Sequence, residues 1–167
     1  MLSQEIKFAK AHKLAVIPSR SHDNDVGYDL TLIGEDDHLV STSTHNQTLL
    51  MWGHPSCRGE TRIYDTGIIV IPPKGFYTQI VARSSLIKYG LIVSNGVGII
   101  DPGYRGTLKV PLTCVYIPPT DVKFVVPIKA AQLLVVPICT PLVKEISLEE
   151  IDETSRGKGG FGSTDLI

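Results

Sequence analysis

The sequence has almost no excess charge and no long apolar run. Lys and Arg total 16 and Asp and Glu total 17, which gives a formal net charge of -1. A chain without a general basic field is poorly suited to holding a nucleic-acid polymer. The longest apolar runs, such as residues 130–138, are far too short to cross a bilayer. We therefore expect neither a membrane nor a nucleic-acid polymer as a partner.

Cysteine is also scarce. The three residues Cys57, Cys114 and Cys139 are odd in number and have no CxxC spacing, which argues against a disulfide framework. The N-terminal stretch MLSQEIKFAK is charged and lacks the apolar core of a signal peptide. We expect an intracellular, cytoplasmic protein in a reduced compartment, with the nucleus as the alternative if the source is eukaryotic or viral.

Short apolar runs separated by turn residues make up most of the chain, with 15 Gly and 11 Pro. Runs rich in Val, Ile, Tyr and Thr predict β-strands, and only RSSLIKYG, residues 83–90, indicates a helix. The pattern predicts one all-β domain, a barrel or a sandwich. The predicted strands are Glu5–Phe8, Leu14–Ile17, Tyr28–Leu32, Arg62–Ile71, Gly75–Ala82, Leu91–Ser94, Thr107–Tyr116, Val122–Val126 and Ala130–Ile138.

Two segments break this pattern. Residues 34–64 are polar and predict a surface insertion, in which His45, His54 and Cys57 are either exposed loop residues or zinc ligands of no standard spacing. The stretch RGKGGFGSTD, residues 156–165, is rich in glycine. It indicates either a flexible tail or a mobile cover whose Phe161 stacks on a planar base.

Two short motifs suggest an anion site. In ARSSL, the residues Arg83, Ser84 and Ser85 come where a strand gives way to a helix, and a guanidinium, two hydroxyls and free backbone N–H groups favour an anion there. The alternative is that Ser84 only caps the helix. In AAQLLVV, Gln132 is a polar residue in a buried strand and needs a partner in the core or a ligand.

The stretch SNGVGIIDPGYRG predicts a hairpin closed by a type II turn with Pro102 and Gly103 at its centre. Gly98 leaves backbone donors and acceptors open to a flat ligand, and Asn95 adds a side-chain amide. Asp101 is either a turn residue or a base held at the rim of a pocket.

Taken together, VGYDL, ARSSL, NGVGIIDPGYRG, AAQL and RGKGGFGST resemble, in order, the five motifs of the homotrimeric dUTPases. The resemblance runs from about residue 26 to 164. It implies a jelly-roll-like distorted β-barrel over residues 1–154, a flexible arm over residues 155–167, and a homotrimer with exchanged C-terminal arms. It also implies Mg²⁺-dependent hydrolysis of dUTP to dUMP and pyrophosphate, which keeps uracil out of DNA and supplies dUMP for dTMP synthesis.

The resemblance also implies a role for individual residues. Asp101 matches the base that activates water, Tyr104 matches the ring that packs on deoxyribose, and Asp29 matches the carboxylate that holds Mg²⁺ through water. The closing arm corresponds to Arg156 and Phe161. The uracil-reading segment corresponds to Asn95, Gly98, Ile99, Ile100 and Lys109, the phosphate contacts to Arg83, Ser84, Ser85 and Gln132, and the remaining arm contacts to Gly162 and Ser163.

The sequence departs from the family pattern in several places. ARSSL lacks the Gly that often follows the first Ser, Lys129 stands where Arg is usual, and Asp165 stands where a Gly is usual. Two alternatives remain: a dCTP deaminase-like enzyme of the same fold, or a dUTPase-like binding or regulatory protein. Deamination needs a carboxylate on the strand after the hairpin, and TLKVPLTCV contains none.

Overall fold

The computed structural model describes residues 5–35, 58–118, 122 and 124–159, and its ordered elements are almost all β-strands. The all-β prediction is therefore confirmed. The strands are β1 (Lys7–Lys10), β2 (Tyr28–Leu32), β3 (Gly34–Glu35), β4 (Thr61–Asp65), β5 (Ile68–Ile71), β6 (Phe76–Ala82), β7 (Leu91–Val93), β8 (Gly98–Ile100), β9 (Lys109–Cys114) and β10 (Ile128–Pro137). No helix of the described residues is long and apolar enough to span a membrane.

The strands form three antiparallel sheets. The first four-stranded sheet has the order β2-β10-β6-β8, the second has the order β3-β4-β9-β7, and β1 pairs with β5. Every second residue of β9 is buried, as expected for a strand with one face toward a core. Leu30, Leu133 and Ile80 of the first sheet join Leu112 and Leu91 of the second in one buried cluster.

The predicted strand Arg62–Ile71 is in fact two strands, β4 and β5. The chain turns at Gly67, whose φ is 63°, and the backbone N–H of Gly67 donates to Oδ1 of Asp65 at 2.6 Å. A positive φ favours glycine, and the carboxylate fixes the turn. Asp and Gly are depleted in strands and so marked this break, but the strong strand formers Tyr64 and Ile68 on either side outweighed that signal in the prediction.

Two other predicted strands are wrong. Residues Leu14–Ile17 form no strand, and Leu14, Val16 and Ile17 remain exposed. In the predicted strand Val122–Val126, the residues that the structure describes form none either. Phe124 instead packs edge-on against Tyr64 and Tyr89, with ring centroids 5.6 and 5.3 Å apart. Tertiary packing therefore overrode β-propensity there.

The predicted hairpin around residues 98–109 is also wrong. β8 pairs with β6, whereas β9 pairs with β4 and β7, so the intervening loop crosses from the first sheet to the second. Buried Leu108 anchors the crossing, because its backbone N–H donates to the carbonyl of Ile68 at 2.8 Å. The Asp101–Tyr104 turn is closed by a 3.0 Å hydrogen bond, but Gly103 lacks the positive φ that a type II turn requires.

The predicted helix is a 3-10 helix, Ser84–Tyr89. Gly90 ends it with a φ of 69°, and a Cβ at Gly90 would collide with the carbonyl of Tyr116. Only glycine fits both the conformation and the close approach. The 3-10 helix directly follows β6 and precedes β7. The turn at Gly90 therefore directs the chain from the first sheet into the second.

A buried charge cluster lies where residues 36–57 join the second sheet. The Arg62 side chain is 5 % exposed and pairs with Glu60 at 3.0 Å and with Glu35 at 3.1 Å. Burial lowers the pKa of Arg62, but the hydrogen bond that its guanidinium donates to Glu60 and the charges of Glu35 and Glu60 outweigh this effect, and the pKa is raised. The guanidinium therefore ties β3 to β4 at the base of the insertion.

Candidate active site

A cluster of polar side chains lies on one face of the first sheet around Asp29. Asp29 is only 5 % exposed and lies on β2 directly opposite Gln132 of β10. Arg83 follows the last residue of β6, which pairs with β10 on its other side. The sheet order thus brings together residues that are far apart in the sequence.

A β-bulge in β10 adds a cation to this cluster. The register shifts between Lys129, which pairs with Thr31, and Ala131, which pairs with Leu30. Without the extra residue, the register of Gln132 would place Lys129 opposite Leu32, on the core face. The bulge therefore turns Lys129 toward Asp29. Buried Ala130 and Ala131 are small enough to fit this distortion.

The distances define an ion cluster with a net positive charge. Nε of Arg83 lies 2.9 Å from Oδ1 of Asp29, and Nζ of Lys129 lies 3.2 Å from Oδ2. Buried Oδ2 accepts no well-aligned hydrogen bond, so the contact with Lys129 is an ion pair only. Gln132 Nε2 is 3.5 Å from Oδ1, at the limit of a hydrogen bond. One carboxylate thus faces two cations.

Arg83 is held in place by more than this carboxylate. Its Nη1 donates to the carbonyl of Lys129 at 3.1 Å. The N-cap position of the 3-10 helix is Arg83, and no side-chain hydrogen bond caps it, so the capping alternative for Ser84 is wrong. Ser84 and Ser85 follow Arg83 directly in the sequence, and a cavity of about 370 Å³ is lined by Arg83, Ser84 and Gly96 together with apolar residues of the 3-10 helix and β7. An anion at Arg83 therefore has space beside it, with Ser84 in the cavity wall.

A second polar group surrounds Asp101. β8 is the edge strand of its sheet and, among the described residues, pairs only with β6. Its other edge presents unpaired backbone donors and acceptors. Asp101 follows this edge directly and is exposed, as is Ile99. The amide nitrogen of Asn95 lies 3.5 Å from the position that a Cβ on Gly98 would take, so the amide lies over bare backbone.

Tyr104 lies beyond the turn and is 42 % exposed. Its hydroxyl donates to the carbonyl of Thr107 at 3.3 Å. Arg105 supports the turn, because its Nη1 donates to the carbonyls of Pro102 at 2.7 Å and of Tyr104 at 2.8 Å. Asp101 and Tyr104 are thus held on one compact turn.

The two groups lie at opposite ends of the first sheet. Thr78 pairs with Ile100, which puts Asp101 level with Tyr77 on β6, and Arg83 is six residues further along. At roughly 3.3 Å per residue the separation is about 20 Å. This is much longer than a triphosphate. Within one chain, Asp101 and Arg83 therefore cannot act on the same phosphate.

Several predicted residues lie outside both groups. Lys109 is on β9, in the second sheet, and pairs with Asp65. Arg156 is exposed, and its Nε donates to the carbonyl of Gly159 at 3.3 Å. Phe161, Gly162 and Ser163, with His45, His54 and Cys57 of the insertion, lie outside the described residues. No group of three or more His, Cys, Asp or Glu able to hold a metal occurs in the described part of the chain.

Comparison with known proteins assigns the family. The dUTPase family model matches residues 13–165. The deoxyuridine 5'-triphosphate nucleotidohydrolases of Crocosphaera subtropica and Clostridioides difficile are each 35% identical to the chain. The first match covers 96% of this chain and 98% of the relative, and the second covers 95% and 96%. The chain belongs to the dUTPase family.

Solved structures agree on the fold. A dUTPase of Staphylococcus bacteriophage 80alpha with dUpNHpp superposes with a TM-score of 0.69 at 21% identity, covering 96% of this chain and 98% of that one. A dUTPase of phage phi11, described as coordinating a structural Mg(II) ion, has a TM-score of 0.62 at 22% identity, covering 90% and 99%. The jelly-roll-like β fold is thereby confirmed.

Proposed function

We propose that this chain hydrolyses dUTP to dUMP and pyrophosphate, the activity for which its relatives are named. Asp101 carries the proposal, because it is an exposed carboxylate fixed directly after a free strand edge in a member of the dUTPase family. In a cell this reaction keeps uracil out of DNA and supplies dUMP for dTMP synthesis.

The free edge of β8 suits recognition of uracil. The backbone of Ile99 and Ile100 offers donors and acceptors in a row, and Gly98 has no side chain to displace the Asn95 amide that lies against it. Asn95 contributes an amide that both donates and accepts. The Tyr104 ring forms the floor for deoxyribose and leaves no room for a 2′-hydroxyl. Lys109 contributes through its backbone only.

Asp101 acts as the general base. Its carboxylate takes a proton from a water molecule, and the water oxygen forms a bond to the α-phosphorus. The bond from that phosphorus to the oxygen bridging the α- and β-phosphates breaks, and pyrophosphate leaves. A positioned carboxylate of this kind accelerates proton transfer by roughly 10²–10⁴.

The cluster around Asp29 binds the phosphates. Arg83, Ser84, Ser85 and Gln132 supply donors, and Lys129, which the bulge turns to the same face, adds a second cation. Because Asp29 balances only one of the two cations, the cluster attracts an anion before substrate binds. A triphosphate competes with Asp29 for the guanidinium and so frees the carboxylate.

The donor set around Asp29 fits Mg²⁺ bound through water. The Oδ2 atom of Asp29 is buried and lacks an aligned hydrogen bond, so it can still accept one from a metal-bound water. A single carboxylate cannot enclose a metal ion by itself, but Mg²⁺ is commonly bound by one carboxylate together with waters and substrate phosphates. Mg²⁺ bound there would neutralise charge on the triphosphate. Asp29 would hold its waters, and Lys129 would limit how far the carboxylate moves.

The roughly 20 Å between Asp101 and Arg83 supports a homotrimer in which neighbouring chains complete each site. Residues 1–154 form the barrel and residues 155–167 form an arm that closes over a neighbour's site, with Arg156 on the phosphates and Phe161, Gly162 and Ser163 over the base. After β10 the chain carries exposed Leu142, at 98% relative accessibility, and Val143, at 100%. Apolar side chains this exposed favour packing on another chain.

The test is pyrophosphate release from dUTP, dCTP, dTTP and UTP, with and without Mg²⁺, with ammonia release measured in parallel. We expect pyrophosphate from dUTP alone, with Mg²⁺ increasing the rate. Ammonia from dCTP would establish the deaminase alternative instead. Tight dUTP binding without turnover would establish a binding or regulatory protein.

A further inference from the structure

Gly106 lies against the ring of Tyr104 rather than against the backbone of the turn. The three heavy atoms nearest to a Cβ built on Gly106 all belong to Tyr104: its hydroxyl, its Cζ at 2.6 Å and its Cε2 at 3.1 Å. A real Cβ does not approach other atoms so closely. The position that the Tyr104 ring occupies is therefore open only because residue 106 has no side chain.

We infer that Gly106 is the positioning residue that sets the Tyr104 ring, and with it the preference for deoxyribose over ribose. The inference rests on the proposed role of Tyr104 as the floor under the sugar. Gly106 touches no substrate in this role. It acts only by leaving space for the ring, whose hydroxyl donates to the carbonyl of Thr107 at 3.3 Å.

An alanine at position 106 should move the ring and leave the turn in place. The backbone φ of Gly106 is not in the left-handed region, so alanine is tolerated there by the main chain. The atoms it would meet form the partly exposed end of the Tyr104 side chain, whose hydroxyl donates a 3.3 Å hydrogen bond to the carbonyl of Thr107. The turn keeps the hydrogen bond from Tyr104 N–H to the carbonyl of Asp101 and both hydrogen bonds from Arg105, so Asp101 stays where it is.

The consequence falls on sugar selection more than on chemistry. A pocket wall rejects an added hydroxyl only through close contact, and such discrimination is on the order of 10² at best. Displacing the wall by about 1 Å removes a large part of this discrimination against the 2′-hydroxyl. For Gly106→Ala we expect the ratio of kcat/KM for dUTP to that for UTP to fall on the order of tenfold, mostly through a higher kcat/KM for UTP, because the displaced ring no longer rejects its 2′-hydroxyl.

The same turn provides a matched control. Gly103 has a backbone φ outside the left-handed region, and a Cβ on it would meet nothing within 4 Å. Gly103→Ala is therefore the same chemical change three residues away with no ring to displace. We expect it to keep the dUTP to UTP ratio of the unaltered chain, and both variants to keep its Tm.

The experiment compares Gly106→Ala and Gly103→Ala, each alone and in a Tyr104→Ala background. The inference requires that Gly106→Ala alone lowers the ratio of kcat/KM for dUTP to kcat/KM for UTP. In the Tyr104→Ala background, where the ring is absent, Gly106→Ala should not change this ratio further. A ratio unchanged in Gly106→Ala, or an equal loss in the Tyr104→Ala background, would overturn it.

A structural readout separates this inference from the proposed activity. In the unaltered chain we expect nuclear Overhauser contacts between the Gly106 α-protons and the Tyr104 ring, and their loss would be the mark of a displaced ring. Their absence from the unaltered chain would refute the inference even if dUTP is hydrolysed. Absence of dUTP hydrolysis with these contacts present would instead refute the proposed function.

Discussion

The separation of Asp101 and Arg83 predicts that two inactive variants restore each other's activity. Asp101→Asn removes the base and Arg83→Ala removes the phosphate-binding guanidinium. Along β6 the two positions are six residues apart, which is about 20 Å. If each site takes its base from one chain and its guanidinium from a neighbour, a mixed trimer contains sites in which both groups are intact.

The expected recovery follows from counting chains. In a cyclic trimer assembled at random from equal amounts of the two variants, half of the sites receive an intact Asp101. Half of these receive an intact Arg83 from the neighbour, so about a quarter of the activity should return. The assay is pyrophosphate release from dUTP after the two proteins are denatured together and refolded, compared with each variant treated alone.

A matched control tests whether recovery comes from shared sites. Asp101→Asn mixed with the double variant Asp101→Asn, Arg83→Ala has no intact base in any chain, so it should recover nothing. If native mass spectrometry shows mixed trimers and the first mixture still releases no pyrophosphate, the shared site is wrong. A solution mass of a single chain, 18.2 kDa, would exclude it directly.

Three further predictions test single features. Asp101→Asn should lower kcat for dUTP by roughly 10²–10⁴ with unchanged Tm; near-normal turnover would remove Asp101 as the base. Deleting residues 156–167 should abolish most turnover with almost no change in Tm, because Arg156, Gly157 and Lys158, where the arm begins, are exposed; a large loss of Tm would mean that the arm is structural. Arg62→Ala should lower the unfolding free energy by about 2 kcal/mol in denaturant titrations, less than for fully buried pairs because Glu35 and Glu60 are partly exposed; an unchanged midpoint would mean that the pairs contribute nothing.

The sequence was sufficient for the fold class and for the individual motifs because both depend on local chemistry. A short run of strand-forming residues predicted Tyr28–Leu32 with its observed bounds, and Arg83, Gln132 and Asp29 were recognised from residue type and order. These features require no knowledge of how the strands pair. The same local rules placed Leu14–Ile17 in a strand, where packing decided otherwise.

Pairing between distant strands was the information that the sequence did not contain. The segment around Asp101 has every local mark of a hairpin, yet its two strands belong to different sheets because Leu108 is held by Ile68. The role of Lys129 depends on one extra residue in β10, and a bulge between two alanines leaves no distinct mark in the sequence. Both depend on the register of strands that lie far apart in the chain.

Residues 36–57 leave and rejoin the described fold at the second sheet. They connect to the barrel through β3 and β4, and β3 is the edge strand of the second sheet. Both polar groups, around Asp29 and around Asp101, belong to the first sheet. Arg62 closes the base of the insertion by pairing with Glu35 and Glu60. The cluster thus holds β3 and β4 together where the chain leaves and rejoins the second sheet, which is not the sheet that carries Asp29 and Asp101.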